Sequence, residues 1–313
     1  MSIINTVNEG YTITKKSWFT QMVYTIVFSF IFSIIIVPFT FLVAIASVLR
    51  SDYNNGTVNM TINTFNEFVD DVSANPLFWF SVYLLILVIM VFVTMLLGMI
   101  QLIGLKKFKN ENGSLEDNIK FPFRTQRLLP FILLAFIESI IIAIIGIFLN
   151  AVRDFLDLNT FATPGSLNDV INNFISLENI AYMIITLVIY LIFIPPFMIA
   201  CLAIAEDKAK YNAFVVGWTD WIKSFAYFEG VTIVSLVPTA IVVIFIAVIG
   251  VGITEVVGYG PNVSTTDLSA NDLAIVLTLT FGIILCAFVL LIFLLPFYFN
   301  SMGKSFEDQK TKH

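Results

Sequence analysis

The residue best placed to do chemistry is Glu138, set within the run FILLAFIESIIIAIIGIFL. It lies ten residues past Leu128. At about 1.5 Å per helical residue that is about 15 Å into an apolar layer about 30 Å thick. A charge at that depth costs at least about 2.5–3.5 kcal/mol to insert, so such a residue faces other helices and finds a partner there. Tyr190 offers a hydroxyl at similar depth, as do Thr94, Thr232, Ser235 and Thr239. Two chemistries fit this intramembrane polar site of Glu138 and Tyr190. One is proton or cation binding. The other is a neutral carboxylic acid hydrogen-bonded across helices. No second acid and no base stands inside an apolar run, which favours the structural role.

Little else is reactive. The single histidine is His313, so a Ser-His-Asp triad, a His zinc site and a His proton relay are not expected. There is no Walker loop. Asp70-Asp71 reads as a solvated surface rather than a metal site. Cys201 and Cys286 sit in apolar runs, so neither reads as half of an extracellular disulfide. No catalytic residue, cofactor or metal is expected, and the chain is not expected to be an enzyme.

The elements that must carry these residues are dictated by composition. The chain has 313 residues, 58% hydrophobic and 12% charged, with mean hydropathy +0.94. A soluble domain is about half apolar and about a quarter charged. The apolar residues come in six runs, 19–49, 77–105, 128–149, 180–205, 231–253 and 273–300. Each exceeds the about 20 residues that cross a bilayer core. None has Lys or Arg in its interior. The expected fold is an all-α integral membrane domain of six transmembrane helices spanning 1–313. Ala44-Ile45-Ala46 mimics a signal-peptide cleavage site, but the run before it is too long for a signal core, so the first helix is expected to stay.

Charge orients the domain. Lys15 and Lys16, the cluster from Lys106 to Arg127, Lys208, Lys210 and Lys223, and Lys304, Lys310 and Lys312 all fall in the same alternate set of segments. Only Arg50 and Arg153 fall in the other set. The positive-inside rule puts the basic set and both termini in the cytoplasm. The three outer loops are acidic and account for the net charge of −6, which argues against a nucleic-acid partner. The expected location is the bacterial cytoplasmic (inner) membrane. The expected partners are membrane lipids and a membrane or envelope protein. Asn55, Asn59 and Asn262 head N-glycosylation triplets on the outer face, a pattern frequent by chance in such loops.

Three segments ahead of outward spans read as cytoplasmic amphipathic helices. In YNAFVVGWTDWIKSFAYFEG, residues 211–230, helical spacing puts Phe214, Gly217, Trp218, Trp221, Phe225 and Phe228 on one face. Asp220, Lys223 and Tyr227 lie opposite. Before the first span Val7, Tyr11 and Trp18 make the stripe; before the third, Ser114-Leu-Glu-Asp117 reads as a capping box followed by Leu115, Ile119 and Phe123. Trp18, Trp218 and Trp221 are expected to be interfacial anchors at headgroup level. Trp18 and Trp218 each precede a proline, Pro38 and Pro238, by 20 residues. Leu191-Ile-Phe-Ile-Pro-Pro-Phe197 resembles Leu291-Ile-Phe-Leu-Leu-Pro-Phe297. These matches predict three repeated hairpins, 1–105, 106–205 and 206–313, each preceded by an interfacial helix. The alternative is that any six-span chain alternates in this way. In the outer loops Thr64-Phe-Asn-Glu67 and Ser166-Leu-Asn-Asp169 read as further capping boxes.

The fourth span, the acidic turn Glu206-Asp207-Lys208 and the following NAFVVGWTDWIKSFAYF resemble the membrane domain of glycerophosphoryl diester phosphodiesterases and the stand-alone YciC-like bacterial proteins. NGSLEDNIKFPFRTQRLLPFILL is similar to an earlier segment of that group. The resemblance implies a six-span membrane module without the hydrolase domain, whose paired histidines have no counterpart here. The expected role is a non-enzymatic scaffold or accessory protein in envelope or lipid homeostasis. The alternative is a transporter or lipid-handling protein with a cavity between repeats. An intramembrane enzyme is a third class, for which catalytic groups are wanting.

Overall fold

The computed structural model describes residues 2–51, 76–111, 113–156, 177–257, 278, 280–283, 285–286, 289 and 293–310. Among these the regular structure is wholly helical. That follows from the apolar composition, because in hydrocarbon each backbone N–H and C=O must bond within its own segment. The helices are α1 (Ile3–Ser51), α2 (Pro76–Phe108), α3 (Leu115–Lys120), α4 (Thr125–Phe155), α5 (Leu177–Ala205), α6 (Ala213–Lys223), α7 (Phe225–Val257) and α8 (Leu295–Lys310). Five of them, α1, α2, α4, α5 and α7, are long and apolar enough to cross a membrane. The chain is a multi-pass membrane protein. The sixth expected span, 273–300, is described only in part: residues 278, 280–283, 285–286 and 289 are helical, and its last residues open α8. The expected helices and glycosylation triplets of the outer loops also lie outside them.

The first expected interfacial helix is not a separate element. α1 runs unbroken for 49 residues, about 74 Å at 1.5 Å per residue, more than twice a bilayer core. Nothing between Gly10 and Pro38 stops a helix, so the amphipathic segment continues into the span. The face it buries also differs from the expected apolar stripe. Thr6, Val7, Ile13, Thr14, Ser17, Gln21, Tyr24 and Phe28 are buried, so of the expected stripe Val7 is enclosed while Tyr11 and Trp18 are exposed. Small and polar residues let helix backbones approach where apolar packing alone has no preference over lipid.

The other two short helices do exist. Ser114 caps α3, its Oγ accepting the Asp117 N–H at 3.0 Å, as its sequence pattern predicts. α6 lays Ala213, Gly217 and Trp221 against α5. A Cβ on Gly217 would lie 2.3 Å from the Pro196 carbonyl oxygen, so only glycine permits this contact.

Packing concentrates at the end of the bundle where the lysines and arginines gather, here called the basic end. In α5 every residue from Pro195 to Ala205 except Phe197 is buried. The tails of α2 and α5 and the middle of α8 meet there: a Cβ on Gly303 would sit 3.4 Å from the Gln101 Cβ and 3.6 Å from a Leu202 methyl. An aromatic stack adds to this layer. Phe28 lies between Tyr24 at 5.3 Å and Phe92 at 5.5 Å, both nearly parallel to it, with Phe123 at 5.8 Å. Such pairs contribute about 0.5–1.5 kcal/mol each beyond area burial and tie α1 to α2 and to the α3–α4 connection.

Candidate functional site

Three side-chain amides stand inside the six apolar runs, Gln21, Gln101 and Asn300. All are buried and all are bonded. Gln21 Nε2 donates to Asn300 Oδ1 at 2.8 Å and to the Ile100 carbonyl at 2.8 Å. Asn300 Nδ2 returns bonds to Gln21 Oε1 at 3.3 Å and Thr14 Oγ1 at 2.9 Å. Gln101 Nε2 donates to the Met198 carbonyl at 3.3 Å. The first group joins α1, α2 and α8; the second joins α2 to α5. A Cβ on Gly104 would fall 2.1 Å from Asn300 Oδ1, so a glycine is what admits the pair. Sequence reading passed over these amides. Their signal was their rarity, because an amide in an apolar run must find partners.

Beyond the amides lies an ionic cluster. Lys304 Nζ is 3.0 Å from Asp308 Oδ1, 3.2 Å from Glu9 Oε2 and 3.6 Å from Glu307 Oε2. Thr6 Oγ1 donates to Asp308 Oδ2 at 2.9 Å, and Tyr227 OH to the same oxygen at 3.3 Å. Burial works to lower the Lys304 ammonium, but the Asp308 and Glu9 carboxylates outweigh it and hold its pKa above the ordinary value. The cluster fastens α8 to α1 and α7.

Between the tail of α2, the start of α4 and the end of α5 opens a pocket of about 280 Å³. Two matching turns shape it. α2 ends with Asn110 at φ 59°, and the Glu111 N–H reaches back to the Lys106 carbonyl at 2.9 Å. α5 ends with Asp207 at φ 61°, and the Lys208 N–H reaches back to the Ala203 carbonyl at 2.9 Å. Both are Schellman-type ends, with Asn and Asp taking the left-handed position that glycine usually fills. Lys106, Lys109, Arg127 and Lys208 line the pocket, with Glu111 and Glu206. Lys109 pairs with Glu307, and Lys208 with Glu206. Arg127 Nη2 lies 3.6 Å from Asp207 Oδ2, and its Nε is buried without a hydrogen-bond partner. Phe121 carries the Arg127 guanidinium 3.7 Å from its ring centre and the Lys106 ammonium 5.1 Å away. Among the described residues no carboxylate pairs with Lys106.

Glu138 is buried, 5% exposed, on α4. Among the described residues no side chain hydrogen-bonds to Glu138. Tyr190 does not join it: it is 53% exposed and turned out of the bundle. The expected hydroxyls turn elsewhere. Thr94 bonds the Val91 carbonyl, Ser235 the Val231 carbonyl and Thr232 the Met302 sulfur, while the Thr239 hydroxyl is buried without a partner. The tyrosine that reaches α4 is Tyr83, its OH 3.3 Å from Ser139 Oγ.

The tryptophans divide. Trp18 is 40% exposed on α1. Trp218 is half-buried, its ring edge-on to Phe193 at 5.4 Å. Trp221 departs from expectation: it is buried, 7% exposed, and its indole N–H donates to Glu229 Oε1 at 2.8 Å. The reason is Glu229, one turn into α7, whose carboxylate takes the one donor the indole has. No family model, curated protein or solved structure matches the chain.

Proposed function

We propose that the protein is a non-enzymatic scaffold or accessory protein of the bacterial cytoplasmic membrane, acting in envelope or lipid homeostasis. Six spans, with the basic end and both termini in the cytoplasm, complete this reading. The observation that carries it is the close-packed basic end, where amide and hydroxyl hydrogen bonds and ion pairs join α1, α2, α5, α7 and α8 into one platform. A platform suits docking better than the rocking of repeats that transport needs. The triplicated plan is supported by Gln101, Leu202 and Gly303, spaced 101 residues apart, meeting at one point. The link to lipids rests on the resemblance of the fourth span, the Glu206-Asp207-Lys208 turn and residues 212–228 to the phosphodiesterase membrane domain.

The transporter alternative rests on Glu138, a buried carboxyl near mid-membrane. Reconstitution into proteoliposomes distinguishes the two. The scaffold reading expects no proton or cation flux that depends on Glu138, and expects Glu138→Gln to insert and melt within about 1 kcal/mol of the parent, since the amide matches the neutral acid in size and no side-chain bond among the described residues is lost. A flux abolished by Glu138→Gln would overturn it. Orientation is tested in cells: a cysteine at Ser264 should react with an impermeant reagent added outside, and one at Ser114 should not.

A further inference from the structure

We infer that the pocket formed by Lys106, Phe121, Arg127 and Lys208 binds a phosphate ester, supplied by the headgroup of an anionic membrane lipid. The pocket sits where three apolar runs end, at Leu105, Leu128 and Ala205, which is the depth of lipid phosphates. Two donors stand ready. Lys106 has no carboxylate partner among the described residues, and Arg127 keeps a buried Nε without one. The Phe121 ring centre has Arg127 at 3.7 Å, Lys106 at 5.1 Å and Arg124 at 5.5 Å, a concentration of positive charge around one ring that favours an anion beside it. Of the four lining cations, Lys109, Lys208 and Arg127 already have carboxylate neighbours, which leaves the Lys106 ammonium as the charge that a phosphodiester pairs. The volume of about 280 Å³ is below that of drug-sized sites, so it admits a headgroup while acyl chains stay in the bilayer. Basic pockets at the ends of transmembrane helices recognise lipid headgroups in this way. The inference needs only that the chain spans a membrane. Its failure would leave the scaffold reading standing.

The test is titration of the purified full chain, in a neutral detergent, with short-chain phosphatidylglycerol and phosphatidylcholine, followed by native mass spectrometry. Phosphatidylglycerol should bind about tenfold tighter than phosphatidylcholine, whose phosphodiester is the same but whose choline cation is repelled by Lys106 and the neighbouring basic residues. Lys106→Gln should lose about that factor, and Lys15→Gln, which removes an exposed charge on α1, should lose nothing. Arg127→Gln should lose more, but it also removes the contact with Asp207, so Lys106→Gln carries the test. Glycerol phosphate in excess should not displace the lipid. Displacement that Lys106→Gln abolishes would support the phosphate site with a soluble ester as its ligand. Equal binding of the two lipids, or full binding by Lys106→Gln, would overturn the inference.

Discussion

The two halves of α5 differ although their sequences are equally apolar. From Leu177 to Tyr190 the helix turns Met183, Ile184, Leu187 and Val188 outward, each about half exposed. From Pro195 to Ala205 it is enclosed by α2, α6 and α8. The same division runs through α1, buried at Ile13, Tyr24 and Phe28 and exposed at Ile34 and Phe41. In a bilayer an outward leucine meets lipid tails as apolar as itself, so burying it against protein gains little. What distinguishes the basic end is small residues that admit close approach and polar groups that must find each other.

The sharpest way to break this contrast is to treat a glycine in each half alike. Gly217→Ala forces a methyl onto the Pro196 carbonyl and should destabilise by about 1–3 kcal/mol, the cost of overpacking. Gly146→Ala, in α4 with nothing within 4 Å of the added carbon, should stay within about 1 kcal/mol of the parent and lean toward stabilisation. Unfolding in mixed micelles reads both; equal effects would refute the packed-end account.

A smaller effect tests the amide pair. Asn300→Leu leaves Gln21 short of partners and should cost about 1–2 kcal/mol. The double variant Gln21→Leu, Asn300→Leu should recover part of that loss, because two apolar groups need no bonds. Tyr190→Leu, outside the packed end, should change stability by less than about 0.5 kcal/mol.

The tryptophans sharpen the contrast further without altering stability. In single-tryptophan variants, a lipid quencher placed at headgroup level should dim Trp18 strongly and Trp221 weakly. Quenching of Trp221 as deep as that of Trp18 would return it to the membrane interface.

A last test concerns Lys310. Burial first, and then the neighbouring Lys208, bring its pKa from 10.5 down to about 8. The folded chain releases this proton near pH 8 and the unfolded chain only near 10.5. This group therefore disfavours the folded state below pH 8, and the penalty fades as pH rises from 8 to 10.5. Amine acylation of Lys310, followed by peptide mapping, should show a midpoint near pH 8. A midpoint above 10 would remove the packing of α8 against the α5–α6 turn from this account.

Part of the candidate site was legible and part was not. The Ser114 cap was readable because it depends on residues three apart. Glu138 was readable as buried because depth follows from its place in an apolar run. Its supposed companion Tyr190 was not, since equal depth says nothing about which way a side chain faces. The indole bond of Trp221 was missed because it needs Glu229, eight residues on, to arrive on a second helix. The Phe121 plate was missed because its cations come from Lys106 and Arg127, on different helices.

Composition and the order of residues along the chain determined that this is a multi-pass helical membrane protein, because an apolar run must satisfy its backbone internally wherever it lies. They also determined where the positive charge collects. Only the tertiary structure decided which end of the bundle is protein-packed, that α1 passes unbroken from the charged layer into the span, and that Gln21 meets Asn300. The reason is physical. Hydropathy measures transfer out of water, and lipid and protein interior are alike in that respect, so the choice between them rests on contacts between residues up to hundreds of positions apart.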